Sequence, residues 1–176
     1  LIIKGTGDDW VTIVPMIISN NHLGRIARLE QFPSRHVAPR HVDIWAPAGY
    51  EADSARRYPV LYMHDGQNCF LPEYCPYDVP WSVQTAMGKL AAAGEIEPAI
   101  IVAIWSLAPL RYLEYRPARP FLYLSELARR RILADLGGWP RSDSYLEFIV
   151  EELKPFIDAN YRTRTDRAHT AIMGSS

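Results

Sequence analysis

At 176 residues the chain is one domain's worth of polypeptide, and its 48% apolar and 11% aromatic content supplies a packed core rather than a disordered segment. A formal net charge of −1 carries no nucleic-acid footprint, which needs clustered Lys and Arg; Arg129-Arg130-Arg131 lies in a helix-like stretch and reads as a solvated face. No apolar run reaches the roughly 18 residues a membrane span needs, so a soluble protein is expected. The sequence opens at Leu1 without a signal-peptide pattern, which leaves cytoplasmic and exported locations both open.

Residues 1–23 read as an N-terminal extension or first strand. Trp10 to Val14 is strand-like and Ser19-Asn20-Asn21 has turn composition. Residues 24 to 176 read as one domain portion. Arg25 to Glu30 alternates polar and apolar, as a half-buried antiparallel strand does, and Arg40 to Ala46 alternates again before Pro47-Ala48-Gly49. Pro59 to Met63 and Pro98 to Ile104 are short continuous apolar runs, the pattern of strands buried on both faces of a parallel sheet. Ser82 to Ala93, between them, is helix-like, so the two strands are joined by a helical crossover.

Farther on, Ser144 and Glu147 have the spacing of a capping box. Leu146, Ile149, Val150, Leu153 and Ile157 recur at helical spacing as a buried stripe, with Glu147, Glu151, Glu152, Lys154 and Asp158 opposite. Pro155 predicts a kink or a tightened turn. A strand over Ala168 to Met173 then runs into Gly174-Ser175-Ser176. An apolar strand entering Gly-x-Ser is how a nucleophile elbow begins: in G-x-S-x-G the serine sits on a strained turn between strand and helix with its hydroxyl exposed. Gly174 is then the first glycine and Ser176 the nucleophile.

Other chemistries fit less well. Adjacent His64-Asp65 also occurs in metal phosphohydrolases, but His36 and His41 are five apart across Pro39 and share no helix face, so no metal or cofactor is expected. Cys69 and Cys75 form either a local loop staple or two free thiols. Arg111 to Pro117 follows a parallel strand, at the sheet edge where ligands bind. Trp105 and Tyr115 are candidates to line a pocket, and Arg111 to meet a carboxylate or position a polar substrate, with a structural Arg111–Glu114 pair as the alternative. Tyr74, Tyr77 and Trp81 are read as one aromatic cluster, walling the site or packing under a long loop.

Three stretches together resemble a known family: Tyr58 to Phe70 (YPVLYMHDGQNCF), Tyr145 to Arg162 (YLEFIVEELKPFIDANYR) and Thr165 to Ser176 (TDRAHTAIMGSS). They are similar to the strand ending in His-Asp-Gly-x-Asn, the pre-elbow helix and the elbow strand of the putative-esterase branch of the α/β-hydrolases. That branch includes S-formylglutathione hydrolases, siderophore esterases, feruloyl and acetylxylan esterases, and mycolyltransferases. The resemblance covers residues 24 to 176. It implies a three-layer α/β-hydrolase fold, with leading antiparallel strands on a mostly parallel sheet and the C-terminal half missing from this chain.

The resemblance also implies a carboxylic-ester hydrolase acting through an acyl-enzyme on a small-molecule ester. It implies that the N–H of Gln67 serves as an oxyanion donor, with Gly66 allowing close approach; Asp65, read from the residues as orienting the loop, is a substrate-binding candidate with Trp105, Arg111 and Tyr115. Because that donor is backbone, Gln67→Ala is expected to be mild. In this family the acid and histidine follow the serine, whereas all five histidines here precede it. They are expected on the remaining C-terminal part of the same polypeptide, associated with this one. Two alternatives stay open: a non-catalytic degenerate or truncated domain that acts as a binding module, and an acyltransferase on the same scaffold.

Overall fold

Two kinds of apolar pattern sort the strands in the computed structural model, which describes residues 2–4 and 10–175. A separate antiparallel pair, β1 (Ile2–Lys4) and β2 (Trp10–Thr12), precedes the main sheet. Then come β3 (Met16–Asn21), β4 (Gly24–Phe32) and β5 (Arg40–Pro47), each antiparallel to the next. The expected turn at Ser19-Asn20-Asn21 is instead the end of β3. The chain reverses at His22-Leu23, where the Asn21 side-chain oxygen accepts the Leu23 N–H at 2.9 Å.

The continuous apolar runs are β6 (Val60–Met63) and β7 (Ile100–Ile104), and the last strand is β8 (Thr170–Met173). The sheet order is β3-β4-β5-β7-β6-β8. β6 is parallel to both β7 and β8, with Tyr62 opposite Val102 on one side and Ile172 on the other. Ala168 and His169, expected in β8, belong to a 3-10 turn whose amide at Ala168 is capped by the Asp166 carboxylate.

The continuous run in β7 has a direct cause. Ile100, Val102 and Ile104 enter one core cluster while Ile101 and Ala103 enter the other, and all five are buried. Helix α1 (Val83–Ala92) supplies Val83 and Met87 to the second cluster, beside Cys69 and Phe70. Short helix α2 (Arg111–Tyr115) follows β7, and α3 (Glu126–Leu136) buries none of its residues.

The first cluster is covered by one long helical stretch: α4 (Ser142–Glu147), a π-helical turn over Phe148–Leu153, and α5 (Lys154–Asn160). The helix starts before Ser144, so Ser144 and Glu147 lie inside it and form no capping box. The buried stripe is also shifted from the expected one. Tyr145, Phe148, Ile149, Leu153, Phe156 and Ile157 are inside, while Leu146 and Val150 are 52% and 62% exposed. Aromatic rings remove more apolar surface from water than Leu or Val, and they decide the phase. Pro155 has no N–H to give to the preceding turn, and that turn is widened rather than tightened.

Candidate active site

The site grows from the register of β6 and β8. One residue past β6, the His64 N–H donates to the Met173 carbonyl at 2.9 Å, so the two strands end side by side at the same edge of the sheet. A Cβ on Gly174 would stand 2.9 Å from the His64 ring carbon Cδ2, which leaves room only for glycine unless the ring moves.

After His64 the chain turns through Asp65, whose backbone is left-handed at φ 54°. Asp tolerates that conformation better than most residues, and here it is held from three sides. Its N–H donates to the Tyr115 hydroxyl at 3.2 Å. Its carboxylate takes both forks of Arg111 at 2.8 and 2.7 Å. Its carbonyl accepts the Asn68 N–H at 2.8 Å. Burial alone would raise the Asp65 pKa, but the hydrogen bonds and the charge of Arg111 hold it below the ordinary value.

Gly66–Asn68 then forms a single 3-10 turn. A Cβ on Gly66 would lie 2.5 Å from the carbonyl carbon of Ala103, so the glycine lets the turn press on the end of β7. The amides of Asn68 and Cys69 close this turn, leaving the Gln67 N–H unused by it, as the first amides of any helix are. The Gln67 side chain does have partners: its amide N–H donates to Ser106 Oγ at 2.8 Å and its amide oxygen accepts the Ser106 N–H at 3.1 Å.

Beside these turns lies an open cleft of about 980 Å³, lined by His64, Arg111, Tyr115, Tyr145, Gly174 and Ser175, among others. The rings of His64, Tyr115 and Tyr145 pack mutually at 5.2 to 5.5 Å. His64 Nδ1 lies 2.9 Å from the Tyr145 hydroxyl. Burial pushes the His64 pKa down and both tyrosines up, so near neutral pH the imidazole is uncharged and the phenols are protonated. Arg111 reaches past Asp65 to the Ser175 carbonyl at 3.4 Å.

Several expected residues are placed otherwise. Trp105 does not line this cleft. Its indole N–H donates to Asp43 at 2.9 Å, and its ring covers the Arg28 guanidinium, itself paired with Asp43 and flanked by Tyr74. Buried charge there needs a partner and a covering aromatic, which claims the ring. No Arg111–Glu114 pair forms, because Glu114 points inward to the buried Arg40 at 2.8 and 2.6 Å. Tyr77 is 95% exposed, and only Tyr74 of the expected aromatic cluster packs on Trp105. Cys69 and Cys75 are free thiols; burial, with nearby acidic charge, pushes that of Cys69 up to about 12. Among the described residues no group of three or more His, Cys, Asp or Glu is placed to hold a metal ion. Ser176, the expected nucleophile, lies outside the described residues.

Sequence reading missed Ser106 and Tyr145. A lone serine after a strand carries no pattern, whereas Tyr145 sits in step with Ile149 and Leu153, a spacing that marks it as inward-facing.

Residues 36–176 match the family described as "Putative esterase". Among solved structures the chain is similar to a ferulic acid esterase, with 25% identity over 88% of this chain and 50% of that one and a TM-score of 0.56. It is also similar to the CE1 ferulic acid esterase AmCE1/Fae1A from Anaeromyces mucronatus, at 20% identity over 94% of this chain and 50% of that one, TM-score 0.54. An IroE-like serine hydrolase from Shewanella oneidensis shares 25% identity over 80% of this chain and 39% of that one, TM-score 0.53. The chain thus spans half or less of the length of each of these three. With the family match running from before β5 through β8, on a sheet of α/β-hydrolase type, the chain belongs to the Putative esterase family.

Proposed function

We propose that this chain carries the nucleophile and one oxyanion donor of a carboxylic-ester hydrolase acting on a small-molecule ester. The observation that supports this best is the side-by-side ending of β6 and β8. It brings the turn that carries Gln67, whose N–H the turn itself does not use, to the same sheet edge as Gly174-Ser175, which line the open cleft; Gln67 itself is not among the residues lining it. Similarity to ferulic acid esterases and to an IroE-like serine hydrolase points the same way.

In this reading Ser176 Oγ attacks the ester carbonyl and gives its proton to a histidine that follows it in the complete polypeptide, oriented by a carboxylate also located there. The developing oxyanion accepts hydrogen bonds from the Gln67 N–H and from the N–H of the residue after the serine. Collapse expels the alcohol, and water then hydrolyses the acyl-enzyme. None of the five histidines that precede Ser176 serves as base; His64, at the site edge, is tied to Tyr145.

The test is made on the complete polypeptide. Ser176→Ala should lower turnover of a short-chain p-nitrophenyl ester by about a thousandfold or more, whereas Ser175→Ala should retain most of it. A serine-directed phosphonate should label Ser176. Full turnover by Ser176→Ala would refute the reading.

A further inference from the structure

The Gln67 side chain is held in only one way. The Ser106 backbone N–H can only donate, so the Gln67 amide oxygen must face it, at 3.1 Å. The amide NH2 must then face Ser106 Oγ, at 2.8 Å. The two bonds tie the turn after β6 to the loop after β7. Beside them Arg111 takes the Asp65 carboxylate and reaches the Ser175 carbonyl, at the end of β8.

We infer that Ser106 is a positioning residue for ester hydrolysis: by gripping the Gln67 side chain through its hydroxyl and its backbone N–H, it fixes the direction of the Gln67 N–H towards the developing oxyanion. This rests on the reading of Gln67 and Ser176 given above. A donor aimed before reaction costs no reorganisation in the transition state, so loosening it lowers turnover more than ground-state binding. On this inference Gln67→Ala also lowers turnover, because the side chain aims the backbone, whereas a donor that is backbone alone leaves it mild.

Ser106→Ala keeps the backbone half of the clamp and removes the hydroxyl. Measured in the complete polypeptide, it should lower kcat about tenfold with KM nearly unchanged, a fraction of the hundredfold or more lost when an oxyanion donor is removed outright. Affinity for a trifluoromethyl ketone analogue of the substrate should fall by the same factor. Ser106→Thr, which keeps a hydroxyl, should recover most of both. Gln67→Met, which keeps the backbone N–H and side-chain length but drops the amide, should reproduce the Ser106→Ala pattern and serves as the variant to read if Ser106→Ala does not fold. Unchanged kcat in a folded Ser106→Ala or Gln67→Met, with Ser176→Ala inactive, overturns this inference alone. An active Ser176→Ala overturns the underlying reading instead.

Discussion

Asp65 combines a left-handed backbone with a buried carboxylate, and each property has its own consequence. Asp65→Asn keeps a residue that tolerates the turn but removes the charge facing Arg111. Arg111 is 29% exposed, so water takes up part of the loss, and the expected destabilisation is about 1–2 kcal/mol. Asp65→Ala adds about 1 kcal/mol more for the backbone. The pH dependence follows from the lowered pKa. Stabilisation by this carboxylate is complete above its unfolded-state pKa, near 3.8, and is lost as the pH falls through the lower folded-state value. Urea unfolding of the complete protein between about pH 2.5 and 5 should show a shallower acid slope in Asp65→Asn than in the wild type. An equal slope in both would remove Asp65 from the acid response. Gly66→Ala places a methyl group against the backbone of Ala103, which cannot rotate away, and should cost about 1–3 kcal/mol. At this scale the sequence was partly legible. Asp65-Gly66-Gln67 stood out as a turn, but that Gly66 meets β7 and that Gln67 grips Ser106 depend on contacts no local pattern encodes.

Between elements, the buried Arg40–Glu114 pair joins β5 to α2. Tyr145 and Phe148 flank the guanidinium, so helix, strand and short helix meet at one charge. Glu114→Leu leaves Arg40 buried without its carboxylate and should destabilise the complete protein by about 3–5 kcal/mol. Arg40→Met combined with Glu114→Leu removes both charges and should recover most of that loss in thermal or urea unfolding. Failure of the double variant to improve on the single one would mean that the pair is held for its shape rather than its charge. The strands were legible because β4 and β5 alternate and β7 does not. The helix over 142–160 was legible as a helix, yet its phase was misread by scoring Leu146 and Val150 above Tyr145 and Phe148. The ion pair was invisible in sequence because its members lie far apart in the chain and their charges look like ordinary surface charge.

For the molecule as a whole, the apolar runs predicted three neighbouring parallel strands flanked by antiparallel ones, and the observed order has β7, β6 and β8 together beside β5. This order also dictates a sequence of events. β6 lies between β7 and β8, and its outer partner is distant in sequence: Val60 waits for Thr170, roughly a hundred residues later in the chain. Closing so long a loop is entropically costly, so this pairing should form late in folding. The turn at Gln67 and the segment at Gly174 meet only when it forms, so chemistry cannot precede this pairing. The His64 amide, which donates to Met173, is the natural reporter of that moment. When the complete protein refolds, ester turnover should return no earlier than hydrogen-exchange protection at His64, after the β4–β5 amides are already protected. Turnover that returns before His64 is protected would show that the site does not need this closure.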